Sequence, residues 1–411
     1  MYYQLNGHCQ LVEGKLRGAI YDFHTGKVYS VNRGAVDLLN ACREHTLEDL
    51  LDVSDPDDQV YLNFIDQLTA KGIGAFYIKQ PQPITSTAAA TNDKLDFLWL
   101  ELTSCCNNKC LHCYAASGPC VNQDKIPHER WLSLISEARQ AGATAIQLIG
   151  GEPLLYPGWR DLVKKAHAEG FELIEIFTNA TLIDDECIQF FKDYKVSIAT
   201  TIYADNAAVH DRVTLQPGSF DKTLQAIKKI LAADIPLRIA SIIMKANEDQ
   251  AENIMSLCAE LGVEVNPPDV VRPTGRGDDK DLLPQAYKKP PVKPPFHTDQ
   301  FSFEAAQTNN SCLHGKLAIT ADGNVIPCIF ARSQIYGNIL TASLADILNG
   351  QPLQQCWHLT KDSIEKCKDC EYRYACHDCR PLAQGTDPAH NWLACSANCS
   401  YNPYTGKWEE E

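Results

Sequence analysis

Three cysteines within eight residues are the first chemistry the sequence offers. Cys106, Cys110 and Cys113 are spaced C-x3-C-x2-C, so one loop can present three thiolates to metal. A second group comprises Cys312 and Cys328, then Cys367-x2-Cys370-x5-Cys376-x2-Cys379, then Cys395 and Cys399. The chain has 18 cysteines in 411 residues, too many for packing alone. Disulfide frameworks belong to secreted chains, usually short ones. The first residues, MYYQLNGHCQLVEGKL, have no basic n-region, long apolar run or small-residue cleavage site. No stretch approaches the roughly 20 apolar residues of a membrane span. A reducing, cytoplasmic setting is therefore expected, with the clustered cysteines as metal ligands. Cys9, Cys42, Cys105, Cys120, Cys187, Cys258 and Cys356 are expected to be ordinary thiols, outside any disulfide. Cys105 competes with Cys106 for the first ligand place, and Cys395 with Cys399 for the last.

Further polar residues stand near the first trio. Gly150-Gly151-Glu152-Pro153 offers two glycines that let backbone approach a ligand, and a carboxylate for an ammonium. Thr178, Asn179 and Thr201 fall at strand ends, and Arg212 could meet a carboxylate or be a solvated loop residue. Asp211, Asp278 and Tyr203 are candidates for a general base. A zinc knuckle completed by His112, and zinc ribbons in the second group, are the simpler alternatives.

The elements that must position these residues follow from periodicity. From Leu95 the pattern alternates: strands at 97–102, 145–149, 172–177, 197–203, 237–243 and 264–271, with helices at 128–141, 159–169, 184–194, 219–233 and 250–261. Repeated βα units predict a parallel sheet with outer helices, and six of them a partial barrel with its site at the strand C-termini. Before it, residues 1–90 read as two short strands around His24-Thr25-Gly26 followed by two helices, a winged-helix-like module. Residues 85–93 look like a linker, and KKPPVKPP makes 276–311 a stiff connector. Residues 312–411 are cysteine-dense, with a poor core unless metal is bound. The charge of 37 − 52 = −15 argues against a nucleic-acid partner and against a polybasic membrane surface.

The trio after the first strand, with the Gly-Gly-Glu-Pro segment after the second, closely resembles the radical S-adenosylmethionine (SAM) superfamily. The resemblance implies an α/β partial (β/α)6 barrel over 95–275. It implies a [4Fe–4S] cluster on Cys106, Cys110 and Cys113, and SAM held by Gly150–Pro153 and flanked by Thr178, Asn179, Thr201 and Arg212. The second group resembles the SPASM extension, departing in that Cys376 and Cys379 are two apart rather than three. That resemblance implies one auxiliary cluster on Cys312, Cys328 and Cys379, with no obvious fourth ligand. A second would lie on Cys367, Cys370, Cys376 and Cys399, giving three [4Fe–4S] clusters in all.

SPASM proteins mostly act on peptides, and the N-terminal module resembles the element by which peptide maturases take a leader peptide as an added strand. A structural cap is the bland alternative for that module. The whole is similar to thioether-forming maturases of the ranthipeptide kind. This implies a ribosomally made precursor peptide as partner, an external one-electron reductant such as flavodoxin or ferredoxin, and a Cys thioether product. Carbon–carbon or carbon–oxygen crosslinking, formylglycine formation on a sulfatase, and a non-catalytic iron–sulfur electron carrier are the other readings.

Overall fold

The protein is described by a computed structural model covering residues 1–82, 93–120, 125–264, 266–288, 290, 292–396 and 398–408. The expected linker at 85–93 falls almost wholly outside the described residues.

The alternating apolar runs form the expected central sheet. Strands β6 (Phe97–Glu101), β7 (Ala145–Ile149), β8 (Leu173–Phe177), β9 (Ser197–Thr201) and β10 (Leu237–Ala240) pair in parallel and in chain order. Helices α4 (His128–Gln140), α5 (Trp159–Ala168), α6 (Asp185–Asp193) and α8 (Ser219–Ala232) follow strands β6 to β9 in turn. Their apolar faces supply Trp131, Leu134, Trp159, Leu162, Phe191 and Ile230 to one core with the sheet. At roughly 1.5–3 kcal/mol for each large apolar side chain, this burial is the main stabilising term of the barrel.

Three features depart from the expected pattern. The run 237–243 is broken at Ser241, so β11 (Ile242–Ile243) leaves β10 and pairs with β12 (Asp269–Val270) instead. A short helix, α7 (Ala207–Thr214), lies where a loop was expected; Asn206 caps it, its side chain accepting from the Val209 N–H. Most consequentially, β13 (Lys316–Ile319) pairs in parallel with β6 on the side away from β7. Strands β14 (Asn324–Ile326) and β15 (Gly337–Asn338) then extend the sheet antiparallel. The eight-stranded sheet is thus β10-β9-β8-β7-β6-β13-β14-β15, and it runs through the expected boundary at 312.

The N-terminal module has more strands than the sequence pattern suggests. Strands β2 (Cys9–Glu13), β3 (Gly18–Asp22) and β4 (Lys27–Val31) make an antiparallel sheet with β3 central. Strands β1 (Tyr2–Leu5) and β5 (Gly74–Tyr77) pair separately, and helices α1 (Arg33–Ala41) and α3 (Pro56–Ala70) bury Val36, Leu39, Ile65 and Leu68 beneath them. The module docks on the cysteine-dense region. Tyr21 donates its hydroxyl to the Glu371 carbonyl at 2.9 Å, and the Lys15 N–H donates to the Asp369 carbonyl at 2.8 Å. Around this seam Phe296, Phe303, Tyr372 and Tyr401 pack with Val12, Ala19 and Tyr21.

Candidate functional site

The loop after β6 carries the first cysteine trio, and its backbone is braced on several sides. The Lys109 and Leu111 N–H groups donate to the carbonyls of Thr214 and Val213, at the end of α7. Arg276 donates through Nε to the Cys110 carbonyl at 2.9 Å and through a terminal nitrogen to the Ser117 carbonyl at 2.6 Å. Gly275 permits this approach: it sits at φ +58°, and a Cβ there would lie 2.2 Å from the Tyr114 carbonyl oxygen. The Gly275-Arg276-Gly277 segment was not singled out from sequence, although paired glycines just beyond a strand signal close backbone contact.

Cys105 does not remain an ordinary thiol. It forms a disulfide with Cys120, with Cα atoms 5.3 Å apart, which corrects the expectation for both residues. The bridge also removes Cys105 from the competition for the first ligand place. Cys106, Cys110 and Cys113 are free thiols, and all three line one cavity of about 540 Å³. Burial pushes the Cys106 and Cys110 thiols up to about 12. Metal binding there must therefore displace protons. The Asn108 N–H points at Cys106 Sγ at 3.4 Å, a donor that would steady a thiolate.

The same cavity receives Gly150, Gly151, Thr178, Asn179 and Thr201. It also takes alternate residues of the barrel strands: Phe97 and Trp99, Gln147 and Ile149, Glu175 and Phe177. The glycines are needed for a different reason than expected. A Cβ on Gly151 would lie 2.1 Å from the Cys105 carbonyl oxygen, and one on Gly150 2.6 Å from that of Thr103. They let the second strand's loop lie on the cysteine loop, joined by the Gly151 N–H to Thr103 and Glu152 N–H to Cys105 carbonyl bonds.

Glu152 and Pro153 are buried but do not line the cavity. The Glu152 carboxylate accepts from the Thr178 hydroxyl at 2.7 Å and from the N–H groups of Leu154 and Asn179. Burial raises its pKa to about 6 against those three hydrogen bonds. Glu152 thus joins the β7 and β8 ends through its carboxylate. Arg212 is likewise not among the cavity residues. It lies on α7, exposed, and donates to the Ala246 carbonyl at 2.7 Å. Asp211 caps the next helix through Gly218, Ser219 and Phe220, and Tyr203 lines the cavity.

His112 lines the cavity too, with its pKa lowered to about 4 by burial. Its Nδ1, the Asn108 Oδ1 and the Ser117 Oγ are buried without a partner among the described residues. Three orphaned polar atoms around a cavity bordered by three thiols fit a polar ligand bound beside a metal. Arg272, Ile329 and Phe330 form a further part of the wall, with the Phe330 ring against Tyr114 and the Arg272 guanidinium 4.6 Å from the centre of the Phe330 ring. Sequence reasoning missed these three.

Beyond that wall lies the second cysteine group. Cys312, Cys328 and Cys379 are near enough for each of the first two thiols to be raised by its neighbours in addition to burial. Cys367, Cys370, Cys376 and Cys399 form another neighbourhood, with Cys395 beside Cys399. A partly buried ion pair, Arg332 to Glu101 at 2.9 Å, ties the segment after Cys328 to the end of β6.

Comparison with known proteins places these features. Residues 100–258 match the Radical SAM superfamily, and residues 312–371 match SPASM, an iron-sulfur cluster-binding domain. The chain is 27% identical to the AdoMet-dependent heme synthase of Methanosarcina barkeri over 77% of this chain and 99% of that protein. It is 29% identical to the sporulation killing factor maturation protein SkfB of Bacillus subtilis, over 60% of this chain and 63% of SkfB. Among solved structures, Streptococcus suis SuiB bound to S-adenosylmethionine shares the fold with a TM-score of 0.58 at 14% identity, over 96% of this chain and 99% of SuiB. The two matched regions imply [4Fe–4S] clusters and SAM as cofactors. The chain belongs to the radical SAM superfamily, carries the SPASM extension, and is an enzyme of that kind.

Proposed function

We propose that this enzyme installs intramolecular crosslinks, Cys thioethers, in a ribosomally synthesised precursor peptide. The observation that carries the reading is the joint arrangement. One cavity is lined both by the cysteine trio and by Ile329 and Phe330, which directly follow Cys328. A strand-edged module is docked on the second cysteine group. Support comes from SkfB and from the subtilosin biosynthesis protein AlbA of Bacillus subtilis, 26% identical over 72% of this chain and 69% of AlbA. SuiB, whose fold covers 94% of this chain in its complex with the precursor peptide SuiA, adds to it.

In this reading Cys106, Cys110 and Cys113 hold the SAM-cleaving cluster. Cys312, Cys328 and Cys379 hold one auxiliary cluster, and Cys367, Cys370, Cys376 and Cys399 the other. When bound and reduced by an external one-electron donor such as flavodoxin or ferredoxin, the first cluster with SAM supplies a radical able to take an unactivated hydrogen. The protein's own part is to hold and shield. Gly150 and Gly151 lock the two loops together, Asn108, His112 and Ser117 offer polar atoms to the ligand, and Phe97, Trp99, Ile149 and Phe177 keep water from the barrel interior. Residues 1–82 would take the leader along the edge of β2, or of β4 beyond the Lys27–His297 bridge, where backbone pairing gives affinity and side pockets give register. The setting is cytoplasmic. Among the described residues no helix is long and apolar enough to cross a membrane.

The test is co-expression with a candidate short Cys-rich precursor peptide, sought among the open reading frames beside this gene. Loss of two hydrogens per crosslink, with thiols no longer open to alkylation, is the expected result. The same mass loss with alkylatable thiols would overturn the thioether in favour of a carbon–carbon bond.

A further inference from the structure

The described residues hold one group of metal-type side chains away from the cysteine clusters. His8, Cys9 and Asp22 each bring a ligand atom within 4.8 Å of the other two. Register explains the meeting: Cys9 of β2 faces Asp22 of β3 across the antiparallel ladder, and His8 directly precedes Cys9. Cys9 and Asp22 are 6% and 3% exposed, and Cys9 is in no disulfide. His8 Nε2 lies 3.7 Å from Asp22 Oδ1. That is too long for a hydrogen bond. It is close to the ligand–ligand edge, about 3.3–3.6 Å, of a tetrahedral zinc site with bonds of about 2.0–2.2 Å. The carboxylate is held from behind as metal-bound carboxylates usually are: Oδ1 accepts from the His24 N–H at 3.0 Å, and Oδ2 from the Thr25 hydroxyl at 2.6 Å. Turn capping accounts for Asp22 and core packing for Cys9. A long ion pair with Asp22 accounts for the imidazole, and one shared ion would account for all three meeting at a point.

We propose that His8, Cys9 and Asp22 bind a zinc ion within the N-terminal module. One imidazole, one thiolate and one carboxylate suit a borderline-soft divalent ion. The His24 ring centre is 5.7 Å from that of His8, so a second imidazole stands near the three. The ion ties the start of β2 to the turn between β3 and β4. At that corner the Gly26 carbonyl accepts from the Thr298 N–H at 2.9 Å, and Lys27 bridges to His297. The zinc therefore fixes the point where the module meets the connector. A module this small gains from such a staple because its own core is limited.

The full-length protein, with its iron–sulfur sites loaded, is titrated with zinc chloride in competition with a chromogenic chelator. Wild type should take up one zinc per chain more than either His8→Ala or Cys9→Ser, with equal iron in all three. Zinc-edge X-ray absorption of wild type should show a single sulfur ligand. The His8 side chain is 40% exposed, so His8→Ala keeps the test open if Cys9→Ser fails to fold. Equal zinc uptake by wild type and His8→Ala overturns the proposal. The iron count reports separately on the cysteine clusters, on which this inference does not depend.

Discussion

Gly151 shows how much of the site is backbone. Because a Cβ there would lie 2.1 Å from a carbonyl oxygen, Gly151→Ala must push the cysteine loop away. A loss of about 2–4 kcal/mol is expected in chemical denaturation, together with weaker SAM binding in equilibrium dialysis. His210 gives a second prediction at this scale. It is buried, its Nδ1 faces the Tyr203 N–H, and burial lowers its pKa to about 4 from 6.5. The folded protein resists the proton that the unfolded chain accepts, so stability is full above pH 6.5 and falls as pH drops toward 4. Thermal melts of wild type and His210→Asn should diverge across that window by on the order of 3 kcal/mol at most, with the variant less pH-dependent. The cysteine trio was legible because ligand spacing is local. The Cys105–Cys120 bridge was not, since a separation of 15 residues leaves no local pattern. Arg272 and Phe330 escaped for the same reason: they meet across the fold.

The elements were legible where their chemistry is repetitive. Strands β6 to β9 announced themselves by short apolar runs between amphipathic helices. The expected strand at 264–271 shrank to Asp269–Val270, because its partner had turned off at Ser241. Pairing of β13 with β6 could not be read at all, since register between distant strands depends on tertiary fit rather than on local sequence. The docking of β3 on the cysteine-dense region was equally hidden. The bond from Tyr21 to the Glu371 carbonyl is buried. Tyr21→Phe should therefore cost about 1–2 kcal/mol in denaturant unfolding, while leaving iron content unchanged.

Over the whole molecule, one sheet runs through the barrel and into the SPASM region. The module rests on that region's cysteine loop. The module and the cavity thus sit on one continuous body. If the module presents the peptide, tethering raises the effective concentration of the core segment at the cavity. A precursor lacking its leader should then show a kcat/KM lower by about tenfold or more, while peptide-independent SAM cleavage stays the same. Product mass spectrometry and nucleoside chromatography measure the two.

The proposed role of the cavity at Cys106, Cys110 and Cys113 is SAM cleavage. Its most direct measurement is formation of 5′-deoxyadenosine by the reconstituted, dithionite-reduced enzyme, compared with the triple variant Cys106→Ala, Cys110→Ala, Cys113→Ala. Product is expected from the wild type and none from the variant, whose remaining clusters still load with iron. Continued 5′-deoxyadenosine formation by the triple variant would contradict it.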